Sequence, residues 1–275
     1  MDSLPFVRIR PASGWKPLDL RQLWQYRELL STLGRRDLTL RYRQTVLGAF
    51  WVIAQPLMAA GIFSFVFGKV ANMPSDGVPY FLFAYAGLLC WNAFSNTLAK
   101  VSASLVGNSN LISKVYFPRL ILPLSTLYST LIDFAVAFAM MLVLLGANHV
   151  PIGPRLLLLP VWMAFLLMLA LGTGLYVSAL MVSYRDVQYI LPVFVQLLLY
   201  ASPVAYAVVA VPASLQLFYH LNPLTGLLEA FRWSLLGCGT LSPWVLAYSA
   251  GISCAWLVLG AFAFKRMERL FSDVI

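Results

Sequence analysis

Six long blocks of almost uninterrupted apolar sequence run through this chain, and short polar segments separate them. A helix needs about 20 apolar residues to cross a hydrocarbon layer roughly 30 Å thick, because each residue advances it by ~1.5 Å. Every block reaches that length. The pattern therefore predicts an all-α polytopic membrane protein with six transmembrane helices, at residues 46–67, 80–100, 120–146, 156–182, 188–209 and 243–264.

The basic residues are distributed unevenly between the segments that join these blocks. If the N-terminus is cytoplasmic, Lys69, Arg155 and Arg232 fall outside, and the rest of the 19 basic residues fall on the cytoplasmic side. Cytoplasmic segments carry the excess of Lys and Arg in membrane proteins. Both termini are therefore expected in the cytoplasm, with segments 1–45 and 265–275 flanking a membrane domain at 46–264.

The segment before the first block predicts a helix that lies in the membrane interface. Residues 18–33 mix leucine and tryptophan with arginine, glutamine and glutamate, and Asp19 is a candidate N-cap. A plain basic anchor is the alternative. The strongly charged residues 35–43 follow and predict a cytoplasmic collar around the entrance to the first transmembrane helix.

Two cytoplasmic connections differ in length. Residues 108–119 carry apolar and basic side chains and include Pro118, which separates them from the next helix; this predicts a short helix across the cytoplasmic face. The connection at 183–187 contains Arg185 and Asp186 and is long enough only for a tight turn.

The external connection 210–242 is too apolar for an exposed loop. Pro212, the Asn222-Pro223 pair and Pro243 divide it into pieces of about 9 and 19 residues, neither of which makes a good independent span. Two short helices that dip into the outer leaflet and return would keep their backbone groups paired. The sequence therefore predicts a re-entrant periplasmic hairpin at 212–236, with a surface-lying helix as the alternative.

Composition agrees with a membrane domain and argues against several other classes. Hydrophobic residues make up 61% of the chain and charged residues 11%, with a mean hydropathy of +0.81. We assign the net charge of +9 to anionic lipid head groups at the membrane edge, and expect no nucleic-acid partner. The sequence contains no Gly-x-x-x-x-Gly-Lys-[Ser/Thr] phosphate loop, no His-Glu-x-x-His and no Cys-x-x-Cys. Catalytic and metal sites are therefore not expected.

A few charged residues stand out in the apolar sequence. Asp133 lies near the middle of the third block, whereas Lys100 lies near a membrane edge. No internal repeat or matched pair of broken helices supports ion coupling, so we favour Asp133 as a helix-packing or subunit-contact residue that accepts hydrogen bonds from hydroxyls. Proton coupling by this carboxylate is the alternative. Glu229 and Arg232 are three residues apart and are expected to pair on one helix face. A fixed point in an outer gate is their functional alternative.

Several short segments occur in a characteristic order. They are 36–48, Trp51 with 55–57, 110–119, 184–187, 202–204, 222–224 and 266–275. In this order, within a six-span chain, they resemble the type-2 ABC transporter permeases that export O-antigen, capsule, teichoic-acid and related polysaccharides. The resemblance covers essentially the whole chain and rests on the joint order of the segments rather than on one motif.

The resemblance implies a permease subunit of an ATP-driven exporter in the bacterial inner membrane, which translocates a lipid-linked polysaccharide such as O-antigen. A homodimer would form the channel. Two copies of a separate ABC ATPase would use ATP and Mg²⁺, so this chain would bind no cofactor and would not be an enzyme. The interface helix would correspond to 18–33, the coupling segment to 108–119 and the periplasmic gate helices to 212–236.

The resemblance also suggests roles for single residues. Contact with the ATPase is expected at Asp37, Arg41, Lys114, Arg119, Arg185 and Asp186. An ordinary lipid-facing anchor is the alternative for each. The periplasmic gate is expected at Asn222, Pro223, Glu229 and Arg232.

Channel lining is expected on two helical faces. Sugars have apolar ring faces edged by hydroxyls, so aromatic and amide side chains suit a path along which a glycan slides. Residues at helical spacing in the first and fifth blocks meet this description: Trp51, Gln55, Met58, Ile62 and Phe65, and Tyr189, Gln196 and Tyr200. A core stripe or an interfacial aromatic belt is the alternative.

Two other functions remain open. A type-2 ABC permease for a small hydrophobic drug or lipid would have a narrower and less aromatic channel. A membrane-embedded glycan-lipid transferase would need acids or histidines gathered at one membrane face, and in this sequence they are scattered.

Overall fold

The computed structural model describes residues 20–42, 48–239 and 241–268, and all regular structure in these residues is helical. The predicted all-α class is therefore confirmed. A π-helix at Ser64–Val70 extends α3, and short 3-10 turns precede α5, α7 and α9. The α-helices are α1 (Leu20–Gln25), α2 (Arg27–Tyr42), α3 (Gly48–Phe63), α4 (Tyr80–Ala103), α5 (Ser109–Lys114), α6 (Ile121–Ala147), α7 (Leu159–Ser183), α8 (Val187–Ala201), α9 (Ala213–Leu221), α10 (Pro223–Leu236) and α11 (Pro243–Met267).

The centre of the bundle is α4, which packs against α3, α6, α7 and α10. Most of its side chains are buried, among them Phe83, Tyr85 and Phe94. Because protein rather than lipid surrounds most of this helix, it accommodates polar residues such as Thr97 and Lys100. The beginning of α4 lies beside residues 202–207 and its end beside α2 and the turn before α5. We call these two ends of the bundle the α9 end and the α2 end.

Four helical segments are long and apolar enough to cross a membrane: Phe50–Val70, Ile121–Ala147, Pro154–Ser183 and Pro243–Met267. They correspond to the first, third, fourth and sixth apolar blocks. The second block forms α4, which is long enough but less apolar, and the fifth forms α8, which has only 15 residues. By length and composition the described residues thus support four spans, and the six-span count stays a prediction.

The prediction that the fifth helix reaches residue 209 is wrong. The helix ends at Ala201, and Ser202 adopts an extended conformation at φ −110° and ψ 146°. Pro203 explains this end, because the ring of a proline disfavours the helical conformation of the preceding residue. Residues 202–207 therefore run through the α9 end without regular structure.

The two pieces of the apolar external segment form two short helices, as the prolines predict, but the two are packed very differently. All nine residues of α9 are exposed or half-buried. In contrast, α10 is packed against α4, α7 and α11, and 11 of its 14 residues are buried. Of the two helices, α10 belongs to the core and α9 lies on its surface, and the re-entrant hairpin stays a prediction.

The predicted interface helix at 18–33 is broken. The described part forms α1 and α2, which are separated at Tyr26, and α2 continues to Tyr42 through most of the charged segment 35–43. Asp19 and residues 43–47 lie outside the described residues. Leu33 and Gly34 are buried where α2 crosses α6, and the backbone of Gly34 lies directly against Tyr128. This contact holds α2 on the bundle.

The remaining short connections agree with what the sequence predicts. Residues 109–114 form the short helix α5 within the predicted segment 108–119, and 184–186 make the tight turn between α7 and α8. The tail after Glu268 lies outside the described residues.

The helices α7 and α11 approach each other at two glycines. A Cβ atom on Gly260 would lie 1.9 Å from the carbonyl oxygen of Gly172, and a Cβ on Gly172 would lie 2.3 Å from that of Trp256. Small residues allow helix backbones to approach closely in membrane proteins. Among the described glycines, Gly260 leaves the least room for a Cβ atom.

We expect Gly260→Ala to destabilise the protein by about 1–3 kcal/mol, the usual cost of overpacking, because backbone atoms on α7 would have to move. The measurement is thermal unfolding of the purified chain in detergent. Gly251→Ala on the same helix is the matched control, since nothing lies within 4 Å of its Cβ position. Equal unfolding temperatures for the two variants would contradict the close packing of α7 on α11.

Candidate functional site

A long apolar face is exposed on α3. Trp51, Met58 and Phe65 on this helix and its π-helical extension are 52%, 54% and 61% exposed, whereas Pro56 and Ala60 are buried against the bundle. The exposed face follows the predicted stripe, which also contains Gln55 and Ile62. A contiguous apolar surface of this kind marks a contact with lipid, protein or ligand.

A second exposed face lies on α8. This helix buries Leu191 and leaves Tyr189, Gln196 and Tyr200 exposed. It makes few contacts with α4 and α7, so most of its surface is free of the other helices that the structure describes. All eight residues predicted to line the channel are thus exposed, as that role requires, and the role itself stays a prediction.

A groove of about 470 Å³ continues from the end of α8 to α9. Two tyrosine rings stand beside it, and the hydroxyl groups of Tyr206 and Tyr219 are 2.8 Å apart. The Tyr206 hydroxyl also donates to the Tyr200 carbonyl at 2.9 Å, so Tyr219 is the donor within the pair. The lining residues are Leu198, Ala201, Phe218, Tyr219, Leu221 and Asn222.

Arg232 organises the irregular segment at the α9 end. It is 3% exposed, and its two terminal nitrogens donate to the carbonyls of Val204 and, at 3.3 Å, Tyr206. The guanidinium carbon lies 4.0 Å from the centre of the Phe83 ring, in the geometry of a cation–π contact. Because residues 202–207 are not helical, their carbonyls need donors from elsewhere, and Arg232 supplies two of them.

Two residues of α4, Tyr80 and Gly87, complete this arrangement, and neither stood out in the sequence. The Tyr80 hydroxyl donates to the Ala205 carbonyl, between the two carbonyls that Arg232 holds. Gly87 lies so close to Val204 that a Cβ on it would be 2.2 Å from the Val204 oxygen. A glycine in the middle of a helix can mark such an approach, but only the fold shows what approaches it.

The predicted gate residues Asn222 and Pro223 form the beginning of α10. Pro223 is the first residue of the helix, and the Asn222 side chain caps it by accepting from the Leu224 backbone N–H at 3.0 Å. The Asn222 amide also donates to the Ser202 hydroxyl at 2.9 Å. Asn222 therefore joins the start of α10 to the end of α8.

The predicted pairing of Glu229 with Arg232 is wrong. Among the described residues no ion pair joins them, because the guanidinium turns toward the carbonyls of Val204 and Tyr206. Glu229 is half-buried in α10, a helix of 14 residues that is too short to span a membrane. Burial raises the pKa of its carboxyl to about 7, and Arg232 lowers it only in part. A partly protonated carboxyl needs no bonded counter-ion.

An ion pair lies near the α2 end of the bundle. Lys100 Nζ is 3.0 Å from Asp133 Oδ2 and donates to the Ser129 hydroxyl at 3.0 Å. Asp133 thus holds an ammonium group, a partner that the prediction of hydroxyl donors did not include. In the sequence, only the presence of two opposite charges in separate apolar blocks indicated this ion pair. The sequence alone did not show that α4 ends at the level of Asp133.

A second polar contact joins α2 to the turn before α5. Arg36 donates to the Asn108 side-chain oxygen at 2.7 Å and to Asp37 Oδ1 at 3.0 Å. Asn108 in turn donates to the Ser104 carbonyl at the end of α4 at 2.9 Å. The sequence indicated Asp37 as a contact residue but not Arg36 or Asn108 as the link between the two segments.

The residues predicted to contact an ATPase are placed as follows. Lys114, Arg185 and Asp186 are exposed at the ends of α5 and α7, and Asp37 is half-buried. Arg119 is half-buried, and its guanidinium donates to the Glu268 carbonyl after α11, so it makes a contact within the chain. Only the backbone of the sixth residue, Arg41, is described, in the last turn of α2. None of these positions tests the contact itself.

Comparison with known proteins defines the class. The chain belongs to the ABC-2 type transporter family, which matches residues 28–236. It is 30% identical over 215 residues to the O-antigen export system permease protein RfbA of Myxococcus xanthus, covering 78% of this chain and 82% of that protein. It is 26% identical over 251 residues to RfbA of Klebsiella pneumoniae, covering 90% and 95% of the two chains.

A polysialic acid transport protein is also similar. The polysialic acid transport protein KpsM of Escherichia coli is 26% identical over 244 residues, covering 85% of this chain and 91% of that protein. The chain is therefore an ABC transporter permease and a multi-pass membrane protein. The predicted resemblance to polysaccharide-exporting permeases is confirmed. In the described residues no group of three or more His, Cys, Asp and Glu side chains is arranged to hold a metal ion.

We expect Arg232→Met to lower the free energy of unfolding by about 1–3 kcal/mol for each carbonyl that loses its donor. Arg232→Lys should recover part of this loss, because an ammonium carries charge but cannot form the same planar fork. Thermal unfolding in detergent is the measurement. Arg155→Met is the control, since Arg155 is exposed and donates to the Gly237 carbonyl at the surface, where a change below about 1 kcal/mol is expected. Similar losses for both arginines would contradict the special role of Arg232.

Proposed function

We propose that this chain is the permease subunit of an ATP-driven exporter that translocates a lipid-linked polysaccharide, such as O-antigen, across the bacterial inner membrane. Support comes from relatives named O-antigen export permease and polysialic acid transport protein, which match most of the chain. In this proposal six helices cross the membrane, with α4 and α8 as the second and fifth, and both termini lie in the cytoplasm.

The observation that carries the proposal is the pair of exposed faces on α3 and α8. Each combines aromatic rings with an amide, Trp51 with Gln55 on α3 and Tyr189 with Gln196 on α8. Aromatic rings match the apolar faces of sugars, and amides match their hydroxyls. A face that offers both repeatedly allows a long glycan to advance without being held at one point.

The channel is formed by two copies of the chain. The faces on α3 and α8 are exposed in a single chain and cannot enclose a path alone, while a second copy related by a twofold axis supplies the opposite wall. Apolar surface of this extent also has to be covered by lipid or protein. In the dimer its edges contact lipid and its centre lines the path.

The driving force comes from a separate ATPase, two copies of which bind the α2 end. The chain has no phosphate-binding loop of its own. Exposed charges at that end, Lys114 on α5 and Arg185 and Asp186 in the turn before α8, contact the ATPase together with Asp37, Arg41 and Arg119. Closure of the ATPase on ATP and Mg²⁺ moves this surface and the helices attached to it.

The outer end of the path is controlled by α9 and α10. The Asn222 cap and the Arg232 contacts hold α10 and residues 202–207 as one unit. By contrast, α9 is exposed and borders the groove at the end of α8. We infer that α9 is the part of this gate that moves, and that Glu229 and Arg232 belong to the fixed part.

The decisive experiment is reconstitution of the full chain with its ATPase in proteoliposomes that contain the lipid-linked glycan. ATP-dependent appearance of the glycan on the opposite side supports the proposal. Transport of small lipids or drugs without glycan would favour the small-substrate permease. Glycan transfer between lipids without ATP would favour a transferase.

In this system we expect Tyr189→Ala to reduce glycan export about three- to tenfold, because an aromatic contact is worth about 0.5–1.5 kcal/mol and 1.4 kcal/mol is tenfold. Trp244→Ala is the matched control, since Trp244 is 80% exposed and belongs to α11, which packs mainly on α7 and α10. Its export should stay within about twofold of wild type. Equal losses for both variants would place the path elsewhere.

Charge reversal should separate the ATPase-binding end from the opposite end. We expect Lys114→Glu to weaken binding of the ATPase by roughly tenfold, since like charges across an interface are costly. Co-purification of the two subunits at graded salt measures this. Lys69→Glu, on an exposed residue near the other end of α3, is the control and should bind normally. Normal binding by both variants would contradict the role of Lys114.

A further inference from the structure

A polar cavity lies beneath α2 at the end of the bundle assigned above to the ATPase. Its volume is about 240 Å³, and it separates α2 from α4 and α6. Its polar lining consists of Asp37, Lys100, Ser104, Asn108, Thr126 and Ser129. Beside the packed contact that Leu33 and Gly34 make with α6, a space therefore remains between Asp37 on α2 and the polar side chains of α4 and α6.

The cavity wall consists mainly of hydrogen-bond acceptors. The hydroxyls of Ser104, Thr126 and Ser129 donate to carbonyls of their own helices, those of Val101, Pro123 and Thr126, at 2.7–3.0 Å. Each hydroxyl oxygen therefore keeps lone pairs for another group. Such a wall favours a cation, and Lys100 provides one.

Lys100 faces a carboxylate on each side of the cavity. Asp133, whose side chain is 8% exposed, holds its ammonium at 3.0 Å. Asp37 lies across the cavity on α2, and its side chain is 31% exposed. An ammonium on a four-carbon stem has three rotatable donors, so it can bind two carboxylates at once if they approach.

The position of Asp37 depends on the coupling segment. Arg36, the residue before it, donates to Asn108 in the turn that leads into α5. Through this hydrogen bond a movement of α5 against an ATPase would be passed to α2. Leu33 and Gly34, which rest on α6 one turn earlier, provide a pivot for that movement.

We propose that Lys100 is a positioning residue for coupling, whose ammonium bridges Asp133 on α6 and Asp37 on α2 when α2 closes over the cavity. In the conformation described here the bridge is open and Lys100 is held by Asp133 and Ser129. Closing the bridge ties α2 to α4 and α6. Movement at the ATPase then reaches the helices that line the path. This role rests on the proposed function.

A charge-reversed pair separates this role from a purely structural one. Lys100→Asp combined with Asp133→Lys keeps a buried ion pair, but it places a carboxylate opposite Asp37, which prevents the bridge. We expect the double variant to unfold near the wild-type temperature while glycan export per ATP hydrolysed falls about tenfold, within the usual range of coupling effects. Lys100→Arg, made as a single substitution, should retain most of the export, because arginine keeps the positive charge.

The movement itself can be measured independently of export. Spin labels at Thr39→Cys on α2 and Asn96→Cys on α4, both exposed positions, report the distance across the cavity after Cys254→Ser removes the exposed native cysteine. In the full complex, Mg-ATP should shorten this distance by several ångströms. Asp37→Asn should abolish the shortening, and Glu28→Gln, an exposed acid of the same helix, should not affect it.

The outcomes separate the two proposals. A wild-type complex that exports glycan while the label distance stays constant overturns the bridge but not the proposed function. Full coupling in the charge-reversed variant overturns the bridge as well, because the pair with Asp133 would then be structural. Absence of glycan export from the wild-type complex overturns the proposed function, and the label distances still decide whether α2 closes.

Discussion

The structure depends on how the backbone carbonyls of residues 202–207, where α8 ends, find hydrogen-bond donors. In an apolar surrounding an unpaired carbonyl costs several kcal/mol, so irregular chain is tolerated only where protein supplies donors. Arg232 and Tyr80 supply them to residues 204–206. This requirement explains why α10, which carries Arg232, is buried in the core, and why α4 has Gly87 where the broken chain passes. With α10 inside, α9 is left on the surface.

The same central helix takes part in two polar arrangements of different character. At its beginning, α4 contributes Tyr80, Phe83 and Gly87 to a close-packed contact with little room for movement. At its end, Lys100 borders a cavity and holds Asp133 through a flexible side chain. A rigid end and a deformable end on one helix suit a protein that receives movement on one side of the membrane and controls a passage on the other.

The peripheral helices complete the description of a transporter. Because α3 and α8 contribute little to the core, their exposed faces are available for a second copy of the chain, for lipid or for substrate. The family membership and the polysaccharide-exporting relatives support a glycan as that substrate. The aromatic and amide side chains on these faces are chemically suited to it, which a purely lipid-facing helix would not require.

The sequence by itself determined the helical class, the apolar blocks, the short helices bounded by prolines and the family, since each depends on local spacing or on the order of short segments. It also placed Trp51 and Tyr189 on helix faces correctly, because helical periodicity is local. The tertiary structure alone decided which charges meet. Glu229 and Arg232 are near in sequence but do not pair, whereas Lys100 and Asp133, 33 residues apart, do. A guanidinium donates to the nearest carbonyls that lack a donor. The break of α8 brings such carbonyls to Arg232, and the broken segment has a fixed position only when α4 and α10 pack around it.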